Sequence, residues 1–250
     1  MNKKKLINNI FKFFNLKIGI YKKNFDEILE ILINKKKPII FDIGANKGQS
    51  ISRFLKLFIQ PTIHAFEPLP KLGLHLKNNF KIKNVIINNF ALGEKNEKKF
   101  IYLNNIGNYG AMASFYKLRL NSKFINNYIK YKKNKFGQSL STKKIESKII
   151  TLDSYIKNKN INSIDLLKID TQGYEKEILL GSINALKSKI IKNIELEFII
   201  NDSYEIDFHF HDFDKILSDC GYKIYAISDY GDLYDLPQLN IDLIYTINVK

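Results

Sequence analysis

Apolar and polar residues follow two different periods along this chain. In the first part, Leu6, Ile10, Phe13, Phe14 and Ile18 fall on one side of a helical wheel, with lysines scattered over the rest. A second helical stretch, Phe25 to Ile33, precedes Pro38. From residue 38 onward, short apolar runs alternate with helical stretches. Strands are predicted over Ile39–Ile43, Thr62–Phe66 and Val85–Asn89, with helices at Gln49–Phe58 and Leu69–Asn78 between them. Lys98–Leu103 and Ala111–Phe115 read as a hairpin-like pair, and Lys148–Leu152 as a further strand. The later rhythm is strand Ile164–Asp170, helix Tyr174–Leu186, strand Asn193–Ile200 and helix Phe213–Cys220, stopped by Gly221. Strands Tyr222–Ile227 and Leu243–Val249 close the chain. Strand–helix alternation implies parallel strands joined by crossover helices. The expected organisation is an N-terminal helical extension over residues 1–37 and one α/β domain over 38–250.

Residues 116–147 break that rhythm. They are rich in lysine, interspersed with Tyr116, Tyr128, Tyr131 and Phe136. A long insertion in a compact domain is functional or solvated, so a lid over a substrate site and a helical excursion into solvent both stand as readings.

Composition narrows the partners. The chain has 250 residues, 45% of them hydrophobic, as a globular protein does. No apolar run approaches the roughly 20 residues that span a bilayer. The start, Met1 to Phe14, resembles a leader, but Asn8, Asn9 and Lys12 interrupt it and no small-residue cleavage site follows. A single cysteine, Cys220, excludes an intrachain disulfide and suits a cytoplasmic location. The net charge of +15 draws anionic partners: nucleic acid, a membrane surface or a phosphorylated sugar. No arginine-rich run singles out nucleic acid, and the charge is spread through the whole chain. Peripheral membrane contact by the basic N-terminal helix is one reading, and packing of that helix on the domain is the other.

Candidate chemistry begins after the first strand, at Asp42-Ile-Gly-Ala-Asn-Lys-Gly48. Gly44 and Gly48 let the backbone turn sharply and approach a ligand. A dinucleotide fingerprint starting at Gly44 needs glycines at positions held by Asn46 and Gln49, and a phosphate-binding Walker loop is absent. Asp-x-Gly-x-Asn-x-Gly is instead the form that S-adenosylmethionine enzymes give this turn, because their ligand carries no pyrophosphate. Glu67 ends the second strand 25 residues after Asp42, where an acid can take a ribose hydroxyl pair. Phe90 and Ala91, after the third strand, stand where an adenine ring would rest.

Asp170 and Glu175 flank Thr171-Gln-Gly173 after the fourth long strand. The pair can position or deprotonate a hydroxyl nucleophile, while Glu175 can equally be a first-turn acid favoured by the helix dipole. Glu197 and His209 are further candidate bases. His209 and His211 with neighbouring acids could also hold a metal, or lie in a loop before a helix capped by Asp212. No metal site is assigned.

Phe41–Gln49, Phe66-Glu-Pro68, Ala91-Leu-Gly-Glu94, Thr151-Leu-Asp-Ser-Tyr155 and Lys168–Glu175 together resemble the FkbM family of methyltransferases, over roughly residues 38–248. The resemblance implies a class I, Rossmann-like methyltransferase fold: a mostly parallel seven-stranded sheet with an antiparallel C-terminal strand and helices on both faces. It implies S-adenosyl-L-methionine as cofactor, with Asp42, Gly44, Asn46 and Gly48 matching the cofactor loop, Glu67 the ribose acid, and Asp170, Gly173 and Glu175 the family's Asp-x-x-Gly-x-Glu motif. With the residue readings added, the expected cofactor contacts are Asp42, Gly44, Ala45, Asn46, Gly48, Glu67, Pro68, Phe90, Ala91 and Asp170, and the candidate catalytic residues are Asp170, Glu175 and His209. The activity implied is O-methyl transfer to a sugar or polyketide hydroxyl, in bacteria often among enzymes of glycan biosynthesis. Two rivals stand beside it. One is a nucleic-acid methyltransferase, which would carry Asn/Asp-Pro-Pro-aromatic where this chain has Asp170-Thr-Gln-Gly173. The other is a non-catalytic binding protein on the same fold.

Overall fold

A computed structural model describes residues 25–106, 110, 112–199, 202–207, 209–228 and 240–248. Residues 1–24 of the helical extension expected over 1–37, and Ala111 of the hairpin-like pair, lie outside the described residues.

Two-sided burial explains the strands. Helix α1 (Phe25–Ile33) leads into β1 (Ile39–Ile43), whose last four residues are buried, as a central parallel strand requires. Helix α2 (Gln49–Leu57), β2 (Thr62–Phe66), α3 (Pro70–Asn79) and β3 (Val85–Asn88) follow. The short β4 (Ala91–Leu92) and long β5 (Glu97–Asn104) precede α4 (Lys123–Phe136) and β6 (Thr142–Ile150). After α5 (Leu152–Lys159) come β7 (Ile164–Ile169), α6 (Glu175–Leu180), α7 (Ile183–Lys187) and β8 (Ile191–Ile199). Helix α8 (Phe210–Asp219) and strands β9 (Lys223–Ile227) and β10 (Asn240–Thr246) finish the fold.

The main sheet has seven strands in the order β3-β2-β1-β7-β8-β10-β9. The pairs among β3, β2, β1, β7 and β8 are parallel, and β10 runs antiparallel to both neighbours. This is the class I methyltransferase sheet expected from the sequence. Its strand order reverses between β1 and β7, and a crevice opens at that switch point beyond the strands' carboxyl ends.

Alternation along β1 divides the core. Phe41 and Ile43 pack with α5, α6, α7 and α8 on one face, whereas Ile40 packs with α1 and α2 on the other. Each such side chain, wholly removed from water, contributes roughly 1.5–3 kcal/mol. Among the described residues, no helix is long and apolar enough to cross a membrane.

Four departures from the sequence reading have local causes. Strand β5 pairs with β6, not with the segment near Ala111; the described contact there is one bridge between Tyr102 and Ser114. Strand β6 starts at Thr142, inside the stretch read as an insertion, because its lysines face outward while Ser147 and Ile149 are buried. Helix α5 was not expected, although Thr151 caps it by accepting from Ser154 N at 3.1 Å. The helix expected over Tyr174–Leu186 is two helices, parted at Gly181, where a Cβ would stand 1.9 Å from Gly93 O.

Candidate active site

At the switch point the crevice is a cavity of ≈ 340 Å³, within the range of small-molecule sites. Its walls come from the loops after β1, β2 and β7 and from Glu197 on β8, with Ala91, Leu92, Ile101 and Phe115 as an apolar side.

The β1 loop is bent by contacts that admit almost no substitution. Gly44 has φ +87°, and a Cβ there would lie 1.8 Å from Asp170 O. The amides of Gly44 and Ala45 both donate to Phe66 O, at 3.0 and 3.1 Å, which ties the loop to β2. Gly48, also left-handed, does not face the cavity. A Cβ on it would strike the Phe80 ring at 2.2 Å, so its role is to seat α2 against the end of α3.

Glu67 is buried and lines the cavity. Its Oε2 accepts from Asn46 N and its Oε1 from Leu69 N, both at 2.9 Å. Burial pushes its carboxyl up to about 7 despite those two donors. Each oxygen keeps acceptor capacity toward the cavity. The Asn46 side-chain oxygen is buried with no hydrogen-bond partner among the described residues, a wall atom that calls for a donor.

Asp42 sits differently from its expected role. It is completely buried, is not part of the cavity wall, and neither carboxylate oxygen has a hydrogen-bond partner among the described residues. Its nearest countercharge is Lys168 Nζ, 3.7 Å from Oδ1. Burial raises the Asp42 carboxyl to about 6, a shift that the ammonium partly offsets. Lys168 Nζ also lies 3.1 Å from Asp170 Oδ2. Burial alone would lower the Lys168 pKa, but Asp170, Asp42 and Glu195 around it hold it above the ordinary lysine value. Glu195 is in turn paired with Arg53 at 2.6 Å.

Asp170 lines the cavity, and so does Glu197 from β8. Burial works against ionising Asp170, yet Lys168 and hydrogen bonds from Glu197 and Gln172 bring its pKa below the ordinary value. Burial and the Asp170 charge push the Glu197 carboxyl well above its ordinary value. Lys168 thus favours the charged form of Asp170, while burial and the Asp170 charge disfavour the charged form of Glu197. Gln172 fixes the pair, because its Nε2 donates to Glu197 Oε2 at 3.0 Å and lies 3.4 Å from Asp170 Oδ1. Gln172 has φ 57°, and the Tyr204 hydroxyl donates to its Oε1 at 3.1 Å. A left-handed non-glycine residue beside such a pair is the kind of strain that gathers at functional sites.

Glu175 is not in the cavity wall. Its Oε1 accepts from Thr171 N at 2.8 Å, Thr171 Oγ1 at 3.0 Å and Gly173 N at 3.1 Å, so it braces the turn that carries Asp170 and Gln172. Burial pushes its carboxyl up to about 7. His209 is exposed at the start of α8, away from the cavity wall, and Asp212 in the first turn pairs with Lys176 at 3.0 Å. Phe90 packs on Phe66 and Tyr155, whereas Ala91 and Pro68 line the cavity. Sequence reasoning passed over Gln172 and gave Glu197 no more than a base candidacy. The signal for Glu197 was its place near the carboxyl end of a strand adjacent to β7.

The family model described as Methyltransferase FkbM domain matches residues 42–224. A curated relative, the 2-O-methyltransferase NoeI of Sinorhizobium fredii (strain NBRC 101917 / NGR234), is 27% identical over 158 residues, covering 62% of this chain and 61% of that protein. The chain thus spans about three fifths of the length of that relative. Among solved structures, the METTL16 MTase domain aligns over 90% of this chain and 67% of its own at 10% identity, with a TM-score of 0.48. Fibrillarin from Aeropyrum pernix, solved with natively bound S-adenosyl-L-methionine, aligns over 86% of this chain and 68% of its own, at 11% identity and a TM-score of 0.44.

Proposed function

This chain belongs to the FkbM methyltransferase family, and from that premise we propose that it transfers the methyl group of S-adenosylmethionine to a hydroxyl of a sugar, during biosynthesis of a surface glycan or a related product. The carrying observation is the acid pair at the cavity wall: Asp170, with Lys168 Nζ 3.1 Å from its Oδ2, and Glu197, tied beside it by Gln172 Nε2 at 3.0 Å. The 2-O-methyltransferase relative supports oxygen as the atom methylated.

The cavity residues fit the cofactor. Glu67 would accept from the ribose hydroxyls, and Asn46 Oδ1, buried without a hydrogen-bond partner among the described residues, would take a donor of the ligand. Leu69, Ala91 and Leu92 offer apolar walls suited to a purine. When bound, S-adenosylmethionine supplies an electrophilic methyl group on a sulfonium.

The protein's own part is orientation and proton handling. Asp170 would accept a hydrogen bond from the substrate hydroxyl and turn an oxygen lone pair toward the methyl group. Fixing that approach supplies most of the acceleration. Asp170 would accept the hydroxyl proton as the oxygen takes the methyl group, the C–S bonding pair staying with the departing neutral thioether, S-adenosylhomocysteine. A carboxylate of low basicity is enough for that step, which reconciles the lowered pKa of Asp170 with its role as base. Glu197, held by Gln172 and disfavoured from ionising, would keep a second negative charge out of the site.

Incubation with methyl-labelled S-adenosylmethionine and bacterial surface glycan, followed by acid hydrolysis, tests this reading. Label in an O-methyl sugar is the expected result. Label on a base nitrogen of added RNA, with none in sugar, would replace it.

A further inference from the structure

The far end of α4 is the least explained surface of the molecule. The base of the helix is anchored: Phe124 and Ile125 are buried in a small cluster with Leu118, Ile199 and Tyr204. The other end runs past that cluster. Phe136 shares the side of the helix that carries Ile125 and Ile129, yet it is 54% exposed, and Tyr131 is 40% exposed. Gly137 ends the helix with φ 64°, and a Cβ there would meet none of the described residues within 4 Å. Among the described residues the tip is therefore uncovered.

Its charge is one-sided. Between Tyr116 and Ile145 there are nine basic residues and no acidic one. Lys132 Nζ lies 5.1 Å from the Phe136 ring centroid, and Lys135 Nζ lies 5.3 Å from that of Tyr131. Lys130 and Lys133 occupy the exposed face behind them. An aromatic tip ringed by lysines matches one environment on both counts, since an anionic bilayer offers an apolar phase beneath a negative surface. Lysine stems lie along the apolar body and their ammonium groups reach the headgroups. A nucleic-acid duplex would satisfy the charge but offers the exposed rings no apolar phase, and single-stranded RNA, whose bases can stack on such rings, is the competing occupant that the test must separate.

We propose that the α4 tip, with Phe136 and Tyr131 inserted and Lys130, Lys132, Lys133 and Lys135 at the headgroups, docks the protein on an anionic lipid surface. The base of the same helix touches Tyr204, whose hydroxyl reaches Gln172 in the cavity wall. The helix is 14 residues long, roughly 21 Å at 1.5 Å per residue. Docking would thus hold the cavity within about that distance of the bilayer.

Sedimentation of the full chain with vesicles tests this without any methyl acceptor. The vesicles are phosphatidylcholine alone, or phosphatidylcholine with a third phosphatidylglycerol, and single-stranded RNA serves as competitor. Binding to the anionic vesicles alone, weakened by salt, is expected. Each lysine near such a surface changes partitioning roughly fivefold, so Lys132→Gln with Lys135→Gln should lower it by more than tenfold, as should Phe136→Ser. The pair Lys77→Gln and Lys83→Gln, on and after α3, removes equal charge and should change binding little. Circular dichroism and cofactor affinity should be unchanged in every variant, because none of these residues touches the cavity. The proposal is overturned if anionic vesicles do not bind. It is also overturned if binding persists in the α4 variants, or if those variants lose RNA binding while the vesicles never bound.

Discussion

Lys168 Nζ lies 3.1 Å from Asp170 Oδ2, with Lys168 near the end of β7 and Asp170 the first residue past it. Consecutive strand residues point to opposite faces and alternate ones to the same face, so this spacing aims both groups at one place. The contact sets the protonation state of the cavity. The ammonium favours the charged form of Asp170, whose charge opposes ionisation of Glu197; without it, two adjacent acids would compete for one proton.

Lys168→Met should therefore raise the Asp170 pKa and move the acid limb of the kcat profile to higher pH. Stability should fall by about 3 kcal/mol, since a buried ion cluster loses one partner. Denaturant unfolding and a pH–rate profile measure the two effects separately. An unmoved acid limb would show that Lys168 is structural only.

Gly44→Ala should be among the most damaging single changes. Its Cβ would have to occupy space 1.8 Å from Asp170 O, at φ +87°. The loop must shift away from β7 and carry the cavity wall with it. A loss above about 2 kcal/mol and loss of cofactor binding are expected. Calorimetry with S-adenosylmethionine and a thermal melt give both values.

Glu67 makes binding depend on pH. Its folded pKa, about 7, lies above the ordinary 4.5. Its contribution to stability is therefore full below pH 4.5 and is lost as pH rises through 7. Ribose hydroxyls donate best to the ionised carboxylate, so cofactor affinity should climb up to about pH 7 and then level off. Glu67→Gln should bind roughly tenfold more weakly, with a flat profile over that window. Relative to Glu67→Gln, the native chain should lose stability between pH 4.5 and 7.

Glu175 provides a control on the catalytic assignment. All three of its hydrogen bonds go to Oε1 and come from the turn after β7. An amide oxygen can accept them too. Glu175→Gln should keep most activity, whereas Glu175→Ala should destabilise the turn and cost activity with it. His209→Ala should leave turnover unchanged, given its exposed place outside the cavity wall.

The sequence made the parallel strands legible because two-sided burial leaves short, mostly apolar runs: Ile39–Ile43, interrupted by Asp42 alone, and Thr62–Phe66 were read to the residue. The glycine turn and Glu67 were legible because backbone approach and a strand-end acid have fixed spacings. Pairing of β5 with β6 was not, since the two are separated by α4 and β6 has a lysine-rich outer face. Nor could spacing tell that Asp42 lies beneath the cavity wall, or that Glu175 supports the turn from behind. In both cases the neighbours that decide the matter, Lys168 and the Thr171–Gly173 amides, become visible only in three dimensions. The contact of Asp170 with Glu197, bridged by Gln172, joins the end of β7 to β8, and no local pattern encodes it.

The most direct test of the central claim compares Asp170→Asn with the native chain for both cofactor affinity and single-turnover methyl transfer to a glycan hydroxyl. The account predicts affinity within about threefold and a rate reduced by roughly 10²–10⁴. A native rate in Asp170→Asn would contradict it.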